Sequence, residues 1–402
     1  MGKRVILVVA VLALVAAACT KSSTTATPTA AGITVQLDGK TDQFNGAFPK
    51  FFPNSLTVHP GSTVTFALPH FTGEPHTVTL GSLVNAAAAK TDALGTKVTF
   101  PQLANMDLTP EFNKLPDVFF HKPPAGPPSP NQSAAQPCYQ ASGEPPLSLT
   151  GSAPACANKT LTDFKGTESF YNAGLLVNDG ASFKLKLASD IKPGRYAYMC
   201  MIHRAGMRGW ITVVPNSQSA DTAASVRSRG QAQFNDLVTK LQPFEAKLAS
   251  ATKDTALGGA GSDSIPDALI AEWGPKKLTV HKGDTVKWKL FLFHNVALNA
   301  PESAVGIFNK TASGAFDYNG PAVASVNSPQ PPLSTAFFPP PAGAGPLTVT
   351  GGPWDGKAFR NSSLLGSITP FVITYTTTFT TPGTYSLRCL IHPDMKGTVT
   401  VI

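Results

Sequence analysis

Two short stretches of this 402-residue chain each combine a cysteine, a histidine and a methionine. The residues are Cys200, His203 and Met207 in the first stretch and Cys389, His392 and Met395 in the second. A thiolate and an imidazole are strong ligands for transition metals, whereas a thioether is a weak and soft one. The residue types therefore favour one metal site in each half of the chain. Each site needs a further strong ligand from elsewhere.

Each half also contains a second histidine well upstream of its cysteine. His76 follows segment 56–64, and His294 follows the similar segment 278–286. Two histidines, one cysteine and a long axial methionine form the trigonal site of blue-copper electron transfer. We therefore expect one copper site of this type in each half.

Both halves resemble cupredoxins, the family that includes plastocyanin, amicyanin and pseudoazurin. In that family one histidine lies on an early strand, and the cysteine, the second histidine and the methionine lie on the loop before the last strand. The resemblance implies two sets of copper ligands. These are His76, Cys200, His203 and Met207 in the first half and His294, Cys389, His392 and Met395 in the second.

The resemblance also implies roles for neighbouring residues. A side chain at the position of Asn295 ties the two ligand-bearing loops together in several family members, and Thr77 has less reach at the equivalent position. His203 and His392 are expected near the surface, where they give the electron a route in or out. His70 lies in a loop that is longer than its counterpart, and it is either a secondary metal contact or simply solvated.

The elements that must position these residues are short alternating strands between Pro- and Gly-rich turns. They predict an all-β fold, and with the resemblance they imply two tandem cupredoxin Greek-key β-sandwich domains joined by a short helical connector. The expected divisions are a signal peptide at 1–18, a tether at 19–31, a first domain with a long insert at 32–215, the connector at 216–262 and a second domain with an insert at 263–402.

The inserts and the connector differ in pattern from the strands. Segment 172–176 matches 361–365, so the inserts are repeated, and their proline content predicts irregular loops at sheet edges. In the connector, apolar residues from Phe234 to Leu241 recur at helical spacing, which predicts a helix packed on a domain. Pro243 is expected to break or kink it, and the glycines of 258–262 indicate a hinge or a cap.

The first residues have the pattern of a secretory signal, with Lys3 and Arg4 before an apolar run and small residues. Cys19 follows three alanines and resembles the lipidated cysteine of a bacterial lipobox. A plain cleaved signal and an uncleaved anchor are the alternatives. We expect an exported protein, anchored by lipid to the outer face of the bacterial cytoplasmic membrane on its periplasmic or extracellular side.

The chain has five cysteines. With Cys19 assigned to lipid and Cys200 and Cys389 to metal, Cys138 and Cys156 remain. A disulfide between these two is expected in an exported protein, and two free thiols are the alternative.

Composition limits the other classes of function. Charged residues make up 14% of the chain and the net charge is +8, without a basic cluster that carries aromatic residues. Nucleic acid is therefore not an expected partner, whereas redox proteins that dock transiently are. An enzyme is not expected, because the eight histidines include no His-x-His pair and none beside a ligand cysteine. Copper storage or delivery, and less readily a copper oxidoreductase, remain as alternatives.

Overall fold

Buried and exposed side chains alternate along most strands, as in Ser55–Val58 and Ile373–Phe379. The computed structural model describes residues 32–119, 129–144, 156, 160–266, 268–328, 345–367 and 371–402. The expected signal peptide, the tether, Cys19 and parts of both inserts lie outside these residues. The prediction of an all-β fold is confirmed, because strands in several sheets are the predominant regular structure of the described chain.

The strands and helices have the following bounds. In the N-terminal part the strands are β1 (Ile33–Leu37), β2 (Gly46–Ala47), β3 (Phe51–Phe52), β4 (Ser55–Val58), β5 (Thr63–Leu68), β6 (Thr79–Leu80), β7 (Pro137–Gln140), β8 (Phe170–Ala173), β9 (Ala181–Lys186), β10 (Gly194–Met199) and β11 (Arg208–Val213). In the C-terminal part they are β12 (Ala256–Ala260), β13 (Leu269–Gly274), β14 (Lys277–Val280), β15 (Thr285–Leu290), β16 (Leu292–His294), β17 (Ala297–Leu298), β18 (Phe308–Lys310), β19 (Phe316–Tyr318), β20 (Ser325–Val326), β21 (Leu347–Trp354), β22 (Arg360–Ser362), β23 (Leu365–Ser367), β24 (Ile373–Phe379), β25 (Gly383–Arg388) and β26 (Lys396–Val401). The α-helices are α1 (Ser82–Asp92), α2 (Phe100–Met106), α3 (Gln132–Ala135), α4 (Ala223–Leu241), α5 (Glu245–Ala249) and α6 (Gly320–Val323).

Two sandwiches follow from the strand pairing. In the first sandwich, a four-stranded sheet ordered β3-β1-β5-β9 faces a six-stranded sheet ordered β4-β11-β10-β6-β8-β7. In the second, six strands ordered β2-β13-β12-β15-β24-β21 face six ordered β14-β26-β25-β17-β22-β20. Each pair of sheets encloses its own apolar core, which includes Phe66 and Tyr198 in the first and Trp288 and Tyr375 in the second.

One strand crosses from the first part of the chain into the second sandwich. β2 pairs antiparallel with β13, with Ala47 opposite Leu269 and Gly46 opposite Ile270. β2 therefore covers the edge of a sheet whose other strands all come from the C-terminal part.

The connector contains the predicted helix and the predicted break. α4 ends at Leu241, Pro243 lies in a short 3-10 turn, and α5 follows. The buried Phe234 contacts Phe48 and Phe52, at ring centroid distances of 5.0 and 5.5 Å. The apolar face of the helix is thus packed on the protein. No helix among the described residues is long and apolar enough to cross a membrane.

The expectation of a hinge or a helix cap at 258–262 is wrong. Residues 256–260 form β12, which pairs with both β13 and β15 inside the second sandwich. Gly259 has φ +75° and lies against the ring of His294, where a Cβ would overlap Nε2. The glycine is required by this close approach to a buried side chain rather than by freedom of the backbone.

The inserts are more regular than the proline content predicted. The first includes α1 and α2, and Gln102 accepts a hydrogen bond from the backbone N–H of Thr99 at the start of α2. Equivalent asparagines anchor the two inserts, since the side-chain amides of Asn172 and Asn361 each donate to backbone carbonyls there. β7 lies at a sheet edge, as expected for an insert strand.

Candidate metal centres

The two ligand-bearing loops close in the same way. In the first, β10 and β11 pair up to Met199 and Arg208, and the next residue, Cys200, donates its N–H to the carbonyl of Met207 at 3.0 Å. In the second, the pairing of β25 and β26 is followed by the bond from Cys389 to Met395, also at 3.0 Å. The ladder thus fixes the cysteine and methionine at the two ends of each loop.

The upstream histidines are also held by equivalent pairings. His76 exchanges backbone hydrogen bonds with Leu176, and His294 pairs with Leu365 through β16 and β23. These leucines occupy matching positions in the repeated inserts. The duplicated sequence therefore has a positional role, because it places each histidine over its loop.

Each half brings two histidines and one cysteine together. The groups are His76, Cys200 and His203 in the first and His294, Cys389 and His392 in the second, and the ligand atoms within each group lie within 4.8 Å of one another. Nδ1 lies 3.6 Å from the cysteine Sγ in both His203 and His392. Met207 and Met395 are buried in the same apolar cores as Cys200 and Cys389.

The upstream histidines have different surroundings. Nε2 of His76 lies 3.3 Å from Oδ2 of the buried Asp38, and its Nδ1 is buried without a hydrogen-bond partner. Nδ1 of His294 lies 3.2 Å from Nδ1 of His392, while its Nε2 is buried without a partner in the described structure. An Asp38–His76 pair therefore exists at the first site, and the described residues provide no equivalent at the second.

The surroundings of Cys200 and Cys389 favour the thiolate form of each side chain. Burial alone raises the pKa of Cys200, but the neighbouring imidazoles of His203 and His76 lower it well below its usual value overall. Burial likewise raises the pKa of Cys389, but the neighbouring imidazoles of His294 and His392 lower it well below its usual value overall. Since the thiolate is the form that binds metals, each cluster presents its cysteine in the required state.

Glu74 joins the two clusters. Its Oε2 accepts a hydrogen bond from Nε2 of His203 at 2.6 Å, and its Oε1 accepts one from Nε2 of His392 at 3.0 Å. Burial alone raises the pKa of Glu74, but these histidines hold it well below the usual range. Conversely, burial opposes the charge on His203 and His392, yet their cysteines and Glu74 raise the pKa of each to about 10.

Sequence reasoning missed Glu74. It belongs to the loop before His76, whose greater length relative to its counterpart was the available signal. The expectation that His392 lies near the surface is also wrong, because its side chain is 1% exposed and Glu74 covers Nε2. His203 is 12% exposed. His70 instead lies 3.6 Å from Asp179.

Thr77 and Asn295 both tie the ligand-bearing loops together. The Thr77 hydroxyl accepts the N–H of Met201 at 2.7 Å, and Oδ1 of Asn295 accepts that of Leu390 at 2.5 Å. Thr77 therefore makes an equivalent bond despite its shorter reach. In addition, the backbone N–H of Thr77 points at the sulfur of Cys200, at 3.3 Å.

The donor set fits a copper ion. Each cluster has two imidazoles and a thiolate, the set expected of a type 1 copper site, and the buried Nδ1 of His76 has no hydrogen-bond partner in the described structure. A carboxylate on the far nitrogen of a ligand histidine fixes its orientation and raises its basicity, and Asp38 and Glu74 are placed to do so.

Other features surround the sites. A disulfide links Cys138 and Cys156, with a Cα–Cα distance of 5.5 Å. A cavity of about 370 Å³, lined mainly by apolar side chains, reaches Glu74 and His203. Arg204, next to the ligand His203, is buried and paired with Asp117 at 3.2 Å.

Searches of protein-family models and of curated proteins find no match. Solved structures of cupredoxins are similar to part of the chain. Auracyanin from Roseiflexus castenholzii is 17% identical, with 46% of this chain and 97% of that one covered and a TM-score of 0.21. A purple cupredoxin from Nitrosopumilus maritimus is 16% identical over 37% and 97%, with a TM-score of 0.18. Auracyanin A from Chloroflexus aurantiacus, titled a "blue" copper protein, is 16% identical over 46% and 98%, with a TM-score of 0.21.

Proposed function

We propose that the chain is an electron-transfer protein with two type 1 copper sites, exported and anchored to a membrane through lipid on Cys19. The observation that carries the proposal is the pair of clusters, each with one cysteine and two histidines whose ligand atoms lie within 4.8 Å of one another. The proposed ligands are His76, Cys200, His203 and Met207 at the first site and His294, Cys389, His392 and Met395 at the second.

The protein residues have distinct roles in this proposal. Bound copper would supply one-electron chemistry, and the cysteine thiolate and the methionine at each site would tune its potential. The backbone bonds from Cys200 to Met207 and from Cys389 to Met395 hold the ligand loops in one arrangement. Both upstream histidines are fully buried, so water does not reach the sites from their side. The partners are redox proteins that dock weakly and transiently.

Copper stoichiometry with visible and paramagnetic resonance spectra tests the proposal. We expect two coppers per chain and an intense thiolate-to-copper band. Cys389→Ser is expected to remove about half of that band, because a hydroxyl cannot replace the covalent thiolate. One copper per chain, or a colourless copper protein, would contradict the two-site proposal. Substantial turnover of phenols or nitrite would favour an oxidoreductase, and transfer of copper to an acceptor protein would favour delivery.

A further inference from the structure

A continuous chain of polar contacts runs from one cysteine to the other. Cys200 contacts His203, Glu74 accepts from His203 and from His392, and His392 contacts Cys389. Both histidines direct Nδ1 to their own sulfur and Nε2 to Glu74. One carboxylate is therefore shared by two candidate metal ligands that belong to different sites.

The position of Glu74 is fixed by the loop that carries it. The neighbouring Gly73 has φ +104° and lies so close to the second ligand loop that a Cβ would overlap the carbonyl oxygen of Ile391. On the other side, Thr72 donates to Asp38 at 2.5 Å. The loop is thus bonded to the first sandwich and packs closely against the second. The Glu74 side chain is only 14% exposed.

We propose that Glu74 couples the two copper sites, both as the hydrogen-bonded path for electron exchange and as the group through which the oxidation state of one site alters the potential of the other. This rests on the proposed function. In one exchange, the site at Cys200 loses one electron and the site at Cys389 gains it, or the reverse. Each imidazole keeps its Nε2 proton, so no proton is consumed or released.

The sign of the coupling follows from electrostatics. An oxidised site makes its ligand imidazole a stronger donor, which draws the carboxylate charge towards that site. Less of this charge is then left to stabilise the oxidised state of the other site. The added positive charge acts in the same direction, because screening is weak in a buried region. Oxidation of either site is therefore expected to make oxidation of the other harder.

The coupling is measured first without altering Glu74. Redox titration of Cys200→Ser and Cys389→Ser gives the midpoint of each remaining site beside a neighbour that has no type 1 copper. The full-length wild-type protein, which keeps both sites, is titrated in detergent and gives both midpoints together. We expect the site that is oxidised second to have a higher midpoint in the full-length protein than alone. A titration curve of the wild-type protein that superimposes on the sum of the two single-site curves would overturn the coupling.

Glu74→Gln then tests the residue itself, with Asp38→Asn as the matched control. Both remove a carboxylate charge from a proposed ligand histidine, but of the four proposed ligand histidines Asp38 contacts His76 alone. We expect Glu74→Gln to raise both midpoints and Asp38→Asn to raise only that of the Cys200 site. After pulsed photoreduction, inter-site exchange at matched driving force is expected to slow roughly ten- to hundredfold in Glu74→Gln. Unchanged midpoints and exchange rate in a variant that binds two coppers would overturn the proposal.

A metal-free measurement separates geometry from redox behaviour. Proton NMR of the metal-free protein is expected to show hydrogen-bonded Nε2–H signals of both His203 and His392, and Glu74→Gln is expected to move both. A response of only one histidine would contradict the shared carboxylate. If the wild-type protein binds no copper, the proposed function fails instead, whatever the NMR result. If Glu74→Gln does not fold, the comparison of single-site and full-length titrations still decides whether the sites are coupled.

Discussion

Asp38 and His76 form a buried pair, with Oδ2 of the carboxylate 3.3 Å from Nε2 of the imidazole and both side chains fully excluded from solvent. A carboxylate in this position raises the basicity of a ligand histidine and stabilises the more positive oxidation state. No carboxylate among the described residues contacts the corresponding nitrogen of His294. The two candidate sites have matching ligand residues, but only the first has a carboxylate beside its upstream histidine.

Asp38→Asn is expected to raise the midpoint potential of the Cys200 site. The shift is expected on the order of 50 mV, which for one electron corresponds to about 1 kcal/mol. Redox titration of the Cys389→Ser background isolates the affected site. The Cys200→Ser background provides the control, since its remaining site lacks contact with Asp38 and should keep its midpoint. A fall in the first midpoint would contradict the electrostatic argument.

The two sites are expected to have different potentials, so that the chain acts as a directional relay or a two-level store. The sulfur of Cys200 receives backbone N–H groups from Thr77 and Ile202, at 3.3 and 3.4 Å. In the described part of the chain, no backbone N–H is bonded to Cys389. Such bonds favour reduced copper, whereas Asp38 favours oxidised copper, so the sign of the difference does not follow.

Two further differences contribute to that prediction. The first loop has one more residue between histidine and methionine than the second, and Pro393 stiffens the second. The positive charge of Arg204 does not add another difference between the sites, because Asp117 neutralises it. Redox titration of Cys200→Ser and Cys389→Ser measures the two midpoints, and values that coincide within error would leave two equivalent carriers.

Thr77→Val is expected to weaken the first site without changing its ligands. The substitution keeps the side-chain shape but leaves the buried N–H of Met201 without its acceptor, at a cost of about 1–3 kcal/mol in the free energy of unfolding. Copper affinity is expected to fall roughly ten- to hundredfold at that site. Denaturant unfolding and competitive copper titration measure the two effects. Thr77→Ser retains the hydroxyl and should restore both.

Cys19→Ala is expected to release the protein from membranes, because lipid chains on that cysteine provide the proposed attachment. Fractionation of cells followed by detergent-free washing measures the release. A mutant that stays in the membrane fraction would point to an uncleaved signal. Ser23→Ala, which alters a residue of the expected tether and no cysteine, should leave the distribution between fractions unchanged.

The clusters could be predicted from sequence because most of their members are local. Cys200 and His203 lie on one loop, and the repeat identified His76 through its similarity to His294. Glu74 could not be found in this way, because its contacts with both His203 and His392 depend on how the two sandwiches lie against each other. A sequence pattern that repeats within each half carries no information about the contact between the halves. The extra length of its loop marked the position but not the partner.

Glycine patterns were the main source of error in the fold. Gly258 and Gly259 have the composition of a hinge, and composition does not distinguish a free backbone from one that a neighbouring ring approaches closely. The helices of the first insert were missed for a related reason. Proline elsewhere in the insert favoured loops, whereas the alanine-rich run of α1 and the capping interaction at Thr99 determined the local structure.

The pairing of β2 with β13 limits how far the protein is modular. A fragment that begins at residue 263 lacks both β2 and β12, so both long edges of β13 lose their hydrogen-bonding partners. Exposed strands of this kind associate with other chains. Separate expression of the C-terminal part should therefore give self-associating material, and a soluble fragment requires both β12 and segment 44–48 to be supplied with it. Evolution by shuffling of the two halves would meet the same obstacle, since the C-terminal half does not carry every strand of its own sheet.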